Sequence, residues 1–557
     1  MAQPSDSLHR RTPISVRSEG SVAAETAPEP AQGAGRTGPG SLVSVLIGFG
    51  IPLVLVAAGV VGVVLWLRVD PPVSQLSAVL PTASGSAARG AMGAFTPPDC
   101  GTAQPGMPTG TPQTPVAGPG TQMSIPSPGA EAGQAPGFVL PAPGSGGRSG
   151  PSVSAGAATV PSLPGSWPGF RGPDLDNISK ESTSLATSWG PQGPKTLWSV
   201  QLGEGHAGAA VLNGRVYVLD YDQTNKADKL RCLSLADGGE LWSHSSPVVV
   251  KRNHGMSRTV PAVTGSYVVA LGPKCDVICA DATTGSVKWT MDLVDDWGAK
   301  VPTWYAGQCP LIDGEKVILA PAGKALMIAV DLASGKTLWQ APNPNGWKMT
   351  HSSIRPTTIA GRKVYLYCAS GGVAAVSASD GSILWETKDW TVSTANIPTP
   401  VPIGDGRVLL CGGYNAGSMM IRLRSSGGKL THEELYRLPA KTFGSDQHTP
   451  ILYKGHIYGV IPSGELACLG LDGKRLWTSG RTARFGIGPY MIAGGMIYAL
   501  SATGEMSLVK ATPEGYQPLA RANVLKGPDA WAPIAIAGGR LLARDLTTMV
   551  CLDVARS

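Results

Sequence analysis

From residue 195 onward, short apolar runs alternate with glycine turns at a nearly constant interval. GRVYVLD, SYVVALG, EKVILAPA, RKVYLYCA, GRVLLCGG, GHIYGVIP, GMIYALS and GRLLARD are rich in β-branched and aromatic residues, the composition of strands. Each follows an apolar strand and a turn: VLNG, AVTG, LIDG, TIAG, PIGDG, LYKG, IAGG and IAGG. Turns of this type between such runs predict β-hairpins, eight of them.

A third strand then carries a motif, and a fourth ends in or near tryptophan. The motif is fullest at Ala329–Trp339, AVDLASGKTLW. It recurs as CLSLADGGELW (Cys232–Trp242), CADATTGSVKW (Cys279–Trp289), AVSASDGSILW (Ala375–Trp385) and CLGLDGKRLW (Cys468–Trp477). A fixed period of this size marks a repeat architecture. Trp198, Trp242, Trp289, Trp339 and Trp385 follow one another at 44 to 50 residues, and Trp477 comes two periods after Trp385. The skipped repeat has Leu435-Tyr436 in place of Leu-Trp, and the seventh, around Ala511–Leu519, has lost its Trp.

The eighth repeat stops at CLDVARS, without turn or Trp, while KTLWSVQL (Lys195–Leu202) is a Leu-Trp strand with no hairpin before it. The two defects are complementary. The N-terminal strand is expected to complete the last blade and close a ring, which removes free sheet edges. The expected fold is all-β: an eight-bladed propeller of four-stranded antiparallel blades over residues 166–557. The interchange of Cys232, Cys279, Cys468 and Cys551 with Ala329 and Ala375 in one slot marks these thiols as packing residues.

The repeated Ala-x-Asp-x-x-Ser/Thr-Gly-Lys-x-x-Trp resembles the pyrroloquinoline quinone (PQQ)-like β-propeller family over about 195–557. WPGFRGPDLDNIS (Trp167–Ser179) is similar to the lead-in of many such proteins from planctomycete-type bacteria. The resemblance implies that Trp198, Trp242, Trp289, Trp339, Trp385 and Trp477, with Asp281, Asp331, Gly285 and Gly335, dock neighbouring blades. A large aromatic at a fixed strand position fits that structural task. The family has two branches. Quinoprotein dehydrogenases bind PQQ and usually calcium, with a vicinal Cys-Cys disulfide against the quinone and a catalytic Asp; this chain has no Cys-Cys pair. The other branch resembles non-catalytic scaffolds, such as the propeller lipoproteins of the outer-membrane barrel-assembly machinery, but a lipidated cysteine is missing from the expected place.

Upstream the pattern changes. Residues 1–41 hold few large apolar residues and are expected to be a disordered tail. Residues 42–67, LVSVLIGFGIPLVLVAAGVVGVVLWL, are uncharged and long enough to span a bilayer core of roughly 30 Å as a signal-anchor helix. Arg10, Arg11, Arg17 and Arg36 precede the span, while Arg68 alone follows closely. The positive-inside bias then puts the N-terminus in the cytoplasm and the propeller outside, in a periplasmic or equivalent space. Residues 68–165 are rich in Pro, Gly and Ser and read as a disordered tether. The net charge of +7 is spread over 557 residues without a basic run, which excludes nucleic acid as a partner.

Propeller ligands meet loops at one face. The segments before each first strand read GEGHAG, NHGMSRTVP, TWYAGQCP, MTHSSIRPT, TANIPTP, GSDQHTP, RFGIGPY and DAWAP. They place His206, His254, Arg258, Trp304, His351, Arg355, Asn396, Gln447, His448 and Trp531 as channel-face candidates, joined by Asp446. Polar and aromatic residues at one position in successive blades would converge on a pocket. No nucleophile–base triad, phosphate loop or paired carboxylates stand out, and no catalytic or metal site is assigned, although His206, His351 and His448 could meet across the channel. The expectation is a membrane-anchored scaffold that binds a protein partner or a cell-envelope ligand without a cofactor. The alternative is a PQQ- and calcium-dependent alcohol or sugar dehydrogenase.

Overall fold

The computed structural model describes residues 152–155 and 160–556. The expected cytoplasmic tail and membrane span, and nearly all of the tether, lie outside them. Among the described residues no helix is long and apolar enough to cross a membrane.

Eight antiparallel sheets form a closed ring of blades. Blade 1 covers residues 210–247, blade 2 262–292, blade 3 311–342, blade 4 355–387, blade 5 401–438, blade 6 451–478 and blade 7 490–523. Blade 8 combines residues 535–553 with Lys195–Gln201. The borrowed strand pairs antiparallel with Thr548–Asp553, setting Trp198 opposite Cys551. First strands line the axis, and the last blade's first strand meets that of blade 1. One addition falls within the stretch expected as tether: Ser152–Ala155 pairs antiparallel with Glu240–Pro247 at the outer edge of blade 1. An outermost strand leaves one row of backbone groups open to such pairing.

The repeated motif sets one cross-strand pair in blade after blade. Cys232 faces Trp242, Cys279 faces Trp289, Ala329 faces Trp339, Ala375 faces Trp385 and Cys468 faces Trp477, each followed at once by a β-bulge. A small residue opposite a large one holds the pair's volume, and the bulge sharpens the bend into the turn. In the two degenerate blades the sizes redistribute: Met420 faces Tyr436, and Leu508 faces Ala520.

Each indole also reaches the next blade. Nε1 of Trp198 donates to Leu235 O (3.0 Å), that of Trp242 to Ala282 O (3.3 Å) and that of Trp289 to Leu332 O (2.9 Å). The ring lies on the turn glycine of that blade. Gly285 has φ +74°, and a Cβ there would sit 2.6 Å from the Trp242 ring; at Gly335, φ +71°, it would sit 2.8 Å from Trp289. Both conditions exclude any side chain. The motif aspartates cap the same turns: Asp281 Oδ1 accepts from Thr283 and Thr284 N–H, and Asp331 Oδ1 from Ser334 N–H. Blade 5 lacks this turn, and Trp385 Nε1 donates to His432 Nδ1 instead (3.1 Å).

The channel is partly filled. The lead-in, residues 160–185, is inserted into it as a hairpin from the face carrying the turns between first and second strands. Pro161 O lies against the Gly214 turn and Pro164 O against the Gly538 turn. Trp167 then exchanges hydrogen bonds with Val211 of blade 1, and Val263 of blade 2 donates to Pro168 O. At the tip, positive φ at Arg171, Leu175 and Asn177 turns the chain back. Ile178–Ser179 descends parallel to Tyr490–Ala493 of blade 7, and Thr183 reaches the Gly539 turn.

Arg171 locks this plug. Its guanidinium is buried and donates to Thr449 O (2.8 Å) and Pro450 O (3.1 Å) at the head of blade 6, and to Leu175 O and Asp176 O within the tip. Burial, with Arg355 close by, lowers its pKa to about 9.

Candidate functional site

Above the plug, the loops preceding the first strands enclose a cup of about 270 Å³. Eight of the ten sequence candidates line it: His206, His254, Arg258, Trp304, His351, Gln447, His448 and Trp531. The other two do not. Arg355 is the first residue of blade 4's first strand, one step deeper, and its Nη1 donates to Asp174 O (3.0 Å) and Leu175 O of the plug. Asn396 is buried behind the wall, where its carbonyl accepts from His351 N–H (3.1 Å). Asp446 lies against Gly413 at the side of the cup, its carboxyl raised by burial.

Phe170 of the plug, together with Ile397, Tyr414, Ile487, Pro533, Gly307 and Cys309, completes the lining. Ile397, Ile487 and Pro533 stand in the quoted loop segments, but an eye for polar and aromatic residues passes over them. Phe170 was legible only as part of a lead-in signature. Tyr414 comes from the turn between the second and third strands of blade 5, and it is 45% exposed at the rim.

The cup's walls are ring faces. His206 stacks on Trp531, centroids 4.8 Å apart, and its Nε2 meets His254 O at 2.9 Å. Trp304 is tilted against His351 at 6.2 Å, and His448 sits edge-on to Tyr490 at 6.1 Å. Burial, then the positive charges of Arg258 and Arg544, pulls the His206 pKa down to about 3. Burial likewise brings His351 and His448 to about 4, with smaller contributions from Arg258 and Arg171 respectively. These three rings are neutral at pH 7 because buried cations are poorly solvated.

Arg258 is the exception. Its Nε donates to Trp304 O, and Nη2 to Asn253 O (2.9 Å) and His254 O (2.8 Å), which ties two adjacent loops together. Burial lowers its pKa to about 10, so it carries its charge throughout the physiological range.

The donor set is poor for chemistry. A pKa of 3 to 4 leaves an imidazole too weakly basic for general-base work at neutral pH. Burial pushes the Cys309 thiol up to about 11, away from the reactive thiolate. The eight described cysteines are all buried and unpaired. Among the described residues no group of three or more His, Cys, Asp or Glu side chains could hold a metal ion; His206, His351 and His448 do not form one. A polycarboxylate quinone with calcium needs several cationic or hydroxyl partners and a carboxylate cradle. The cup offers one guanidinium and no carboxylate in its lining, so its residues do not fit that pair.

The architecture is an eight-bladed β-propeller, closed by an N-terminal strand around a loop-face cup, and its repeats resemble those of PQQ-like propellers. Comparison with known proteins agrees. A family model described as "Outer membrane protein assembly factor BamB" matches residues 226–479. The outer membrane protein assembly factor BamB of Yersinia pestis is 24% identical over 226 residues, which are 38% of this chain and 55% of that protein. The match thus spans about half the length of that relative. Among solved structures, a europium-containing methanol dehydrogenase superposes with TM-score 0.51 at 14% identity, covering 70% of this chain and 89% of its own. BamB from Moraxella catarrhalis gives TM-score 0.45 at 17% identity, covering 64% and 99%. At these identities the structural likenesses concern the fold alone.

Proposed function

We propose that this chain is a membrane-anchored, extracytoplasmic propeller that binds a protein partner or another cell-envelope ligand through its loop-face cup and performs no chemistry itself. The observation that carries the reading is the chemistry of the cup: the neutral, weakly basic imidazoles of His206, His351 and His448, an unreactive thiol and no metal-holding cluster among the described residues. The plug supports it as well, because the lead-in enters from the opposite face and leaves the mouth of the cup clear. The curated relative is named as an assembly factor for outer membrane proteins, and a protein-binding role of that general kind suits this chain. The apolar, uncharged stretch at 42–67 and the arginines before it support a single span with the propeller outside the cytoplasm.

The test places a photo-crosslinking residue at Tyr414 of the full chain in its native membrane. A discrete crosslinked protein, absent when the residue is moved to the outer edge at Leu338, is the expected result. Dye-linked alcohol or sugar oxidation by the full chain, appearing only with added PQQ and calcium, would overturn it in favour of a dehydrogenase. A C-terminal reporter active only in the cytoplasm would overturn the topology.

A further inference from the structure

The cup holds one fixed positive charge without a counterion. Arg258 has no ion-pair partner, and no carboxylate lines the cup among the described residues. Its Nε and Nη2 are taken by three carbonyl oxygens. These bonds fix the plane of the guanidinium, while Nη1 makes no hydrogen bond among the described residues. A half-buried guanidinium that no acidic residue compensates is a ready anion site, since a charge-assisted bond to a carboxylate is about twice as strong as a neutral one.

The rest of the cup fixes what the anion is attached to. Trp304, Trp531 and Phe170 line the cup with aromatic rings, together with Ile397 and Ile487. Flat aromatic and aliphatic surface of this kind takes a ring or a branched apolar group. The neutral histidines add no second charge. Their flanking groups point the same way: Arg258 and Arg544 bear on His206, Arg258 on His351 and Arg171 on His448, and all are cationic. The carboxyl of Asp446, next to Gln447 and His448 in the chain, lines the neighbouring pocket and not the cup.

We infer that the cup recognises a single carboxylate carried on an aromatic or branched apolar body, with Arg258 taking the carboxylate and Trp304, Trp531 and Phe170 taking the body. This rests on the binding reading above and names its ligand chemistry. Two sources share that chemistry: a small free carboxylic acid, and the C-terminus of a protein that ends in an apolar residue. A polycarboxylate is a different ligand, because the lining holds one guanidinium.

The experiment titrates the full chain in detergent micelles by calorimetry with five probes: indole-3-acetate, its amide, N-acetyl-glycyl-phenylalanine as the free acid, that dipeptide as its amide, and PQQ. Each acid is expected to bind at least about tenfold tighter than its amide. A preference for the dipeptide acid assigns the source as a chain terminus, and one for indole-3-acetate assigns a small acid; both support the inference. Arg258→Gln should abolish the acid–amide difference and Arg258→Lys should keep part of it. Because Arg258 also ties two loops, Trp531→Ala serves as a second variant: it should weaken acid and amide alike and preserve their ratio. Equal affinity of acid and amide in the parent protein would overturn the inference while leaving the crosslinking result, and so the binding reading, intact. Tighter binding of PQQ than of either monocarboxylate would overturn it too.

Discussion

Two tryptophans show how differently one side chain can be used in this molecule. Trp242 lies in a seam between blades. It is 1% exposed, faces Cys232 across its own sheet, donates its N–H to Ala282 O and rests on Gly285 of the next blade. Trp531 lies in the cup. It stacks on a neutral histidine, and its indole N–H has no hydrogen-bond partner. The seam residue is fully engaged by neighbours that recur in every full repeat. The cup residue is held on one side only. Where the repeats agree, most of the indoles bond to the next blade, Trp339 being an exception; where they differ, surface is left for something else.

That contrast can be broken at several points. The largest effect is expected in the seam: Trp242→Ala should cost about 3–5 kcal/mol, by lost burial and the cavity left behind, measured as a fall in the denaturant midpoint. Gly285→Ala acts on the same contact from the other side, and a Cβ in the indole's place at positive φ should also lower the midpoint. The plug comes next. Arg171→Met leaves two blade-6 carbonyls unpaired in the channel, at roughly 1–3 kcal/mol each, and should loosen the lead-in toward proteolysis while the ring stays closed through Lys195–Gln201.

Acid should then separate the cup from the seams. In the unfolded chain imidazoles take up protons below about 6.5. In the fold His206, His351 and His448 wait until about 3 to 4. The unfolded state therefore binds more protons as pH falls, and stability that is complete above pH 6.5 declines below it. The decline is up to about 1.4 kcal/mol per pH unit for each histidine. Asp228, raised to about 8 by burial and by Asp276 and Asp220, works in the opposite sense and offsets part of the slope. Melting temperature against pH between 6.5 and 4.5 should fall in the parent and fall less steeply in His351→Gln/His448→Gln. The smallest effect on folding is expected at Trp531→Ala. Its stack on His206 contributes about 0.5–1.5 kcal/mol, so the midpoint should move little while ligand binding is weakened. A large fall there would show the cup to be a seam like the others.

Much of this was legible beforehand, for physical reasons. A repeated small residue, Asp, Gly and Trp must do a repeated task, so the seams could be read from the spacing of Trp198 through Trp477. The closure could be read because Cys551 lacked a partner and Trp198 lacked a hairpin. The loop segments could be placed at one end because the strands around them had a fixed order. What could not be read was depth. Arg355 and His351 stand four residues apart in one sequence segment, yet one faces the plug and the other the cup, because the first strand begins at Arg355. The strand at Ser152–Ala155 could not be read either, since it has no apolar pattern of its own and pairs at the open outer edge of blade 1.

The lead-in marks the division most clearly. By itself the sequence determined the number of blades, the strut between them and the strand that closes the ring, because these depend on local patterns repeated at a fixed period. Only the tertiary structure decided that WPGFRGPDLDNIS enters the axis, that Phe170 lines the cup and that Arg258 stands there without a counterion among the described residues. Those outcomes depend on contacts between residues far apart in the chain, such as Arg171 with Thr449 or Asn177 with Tyr490, and no period in the sequence encodes them.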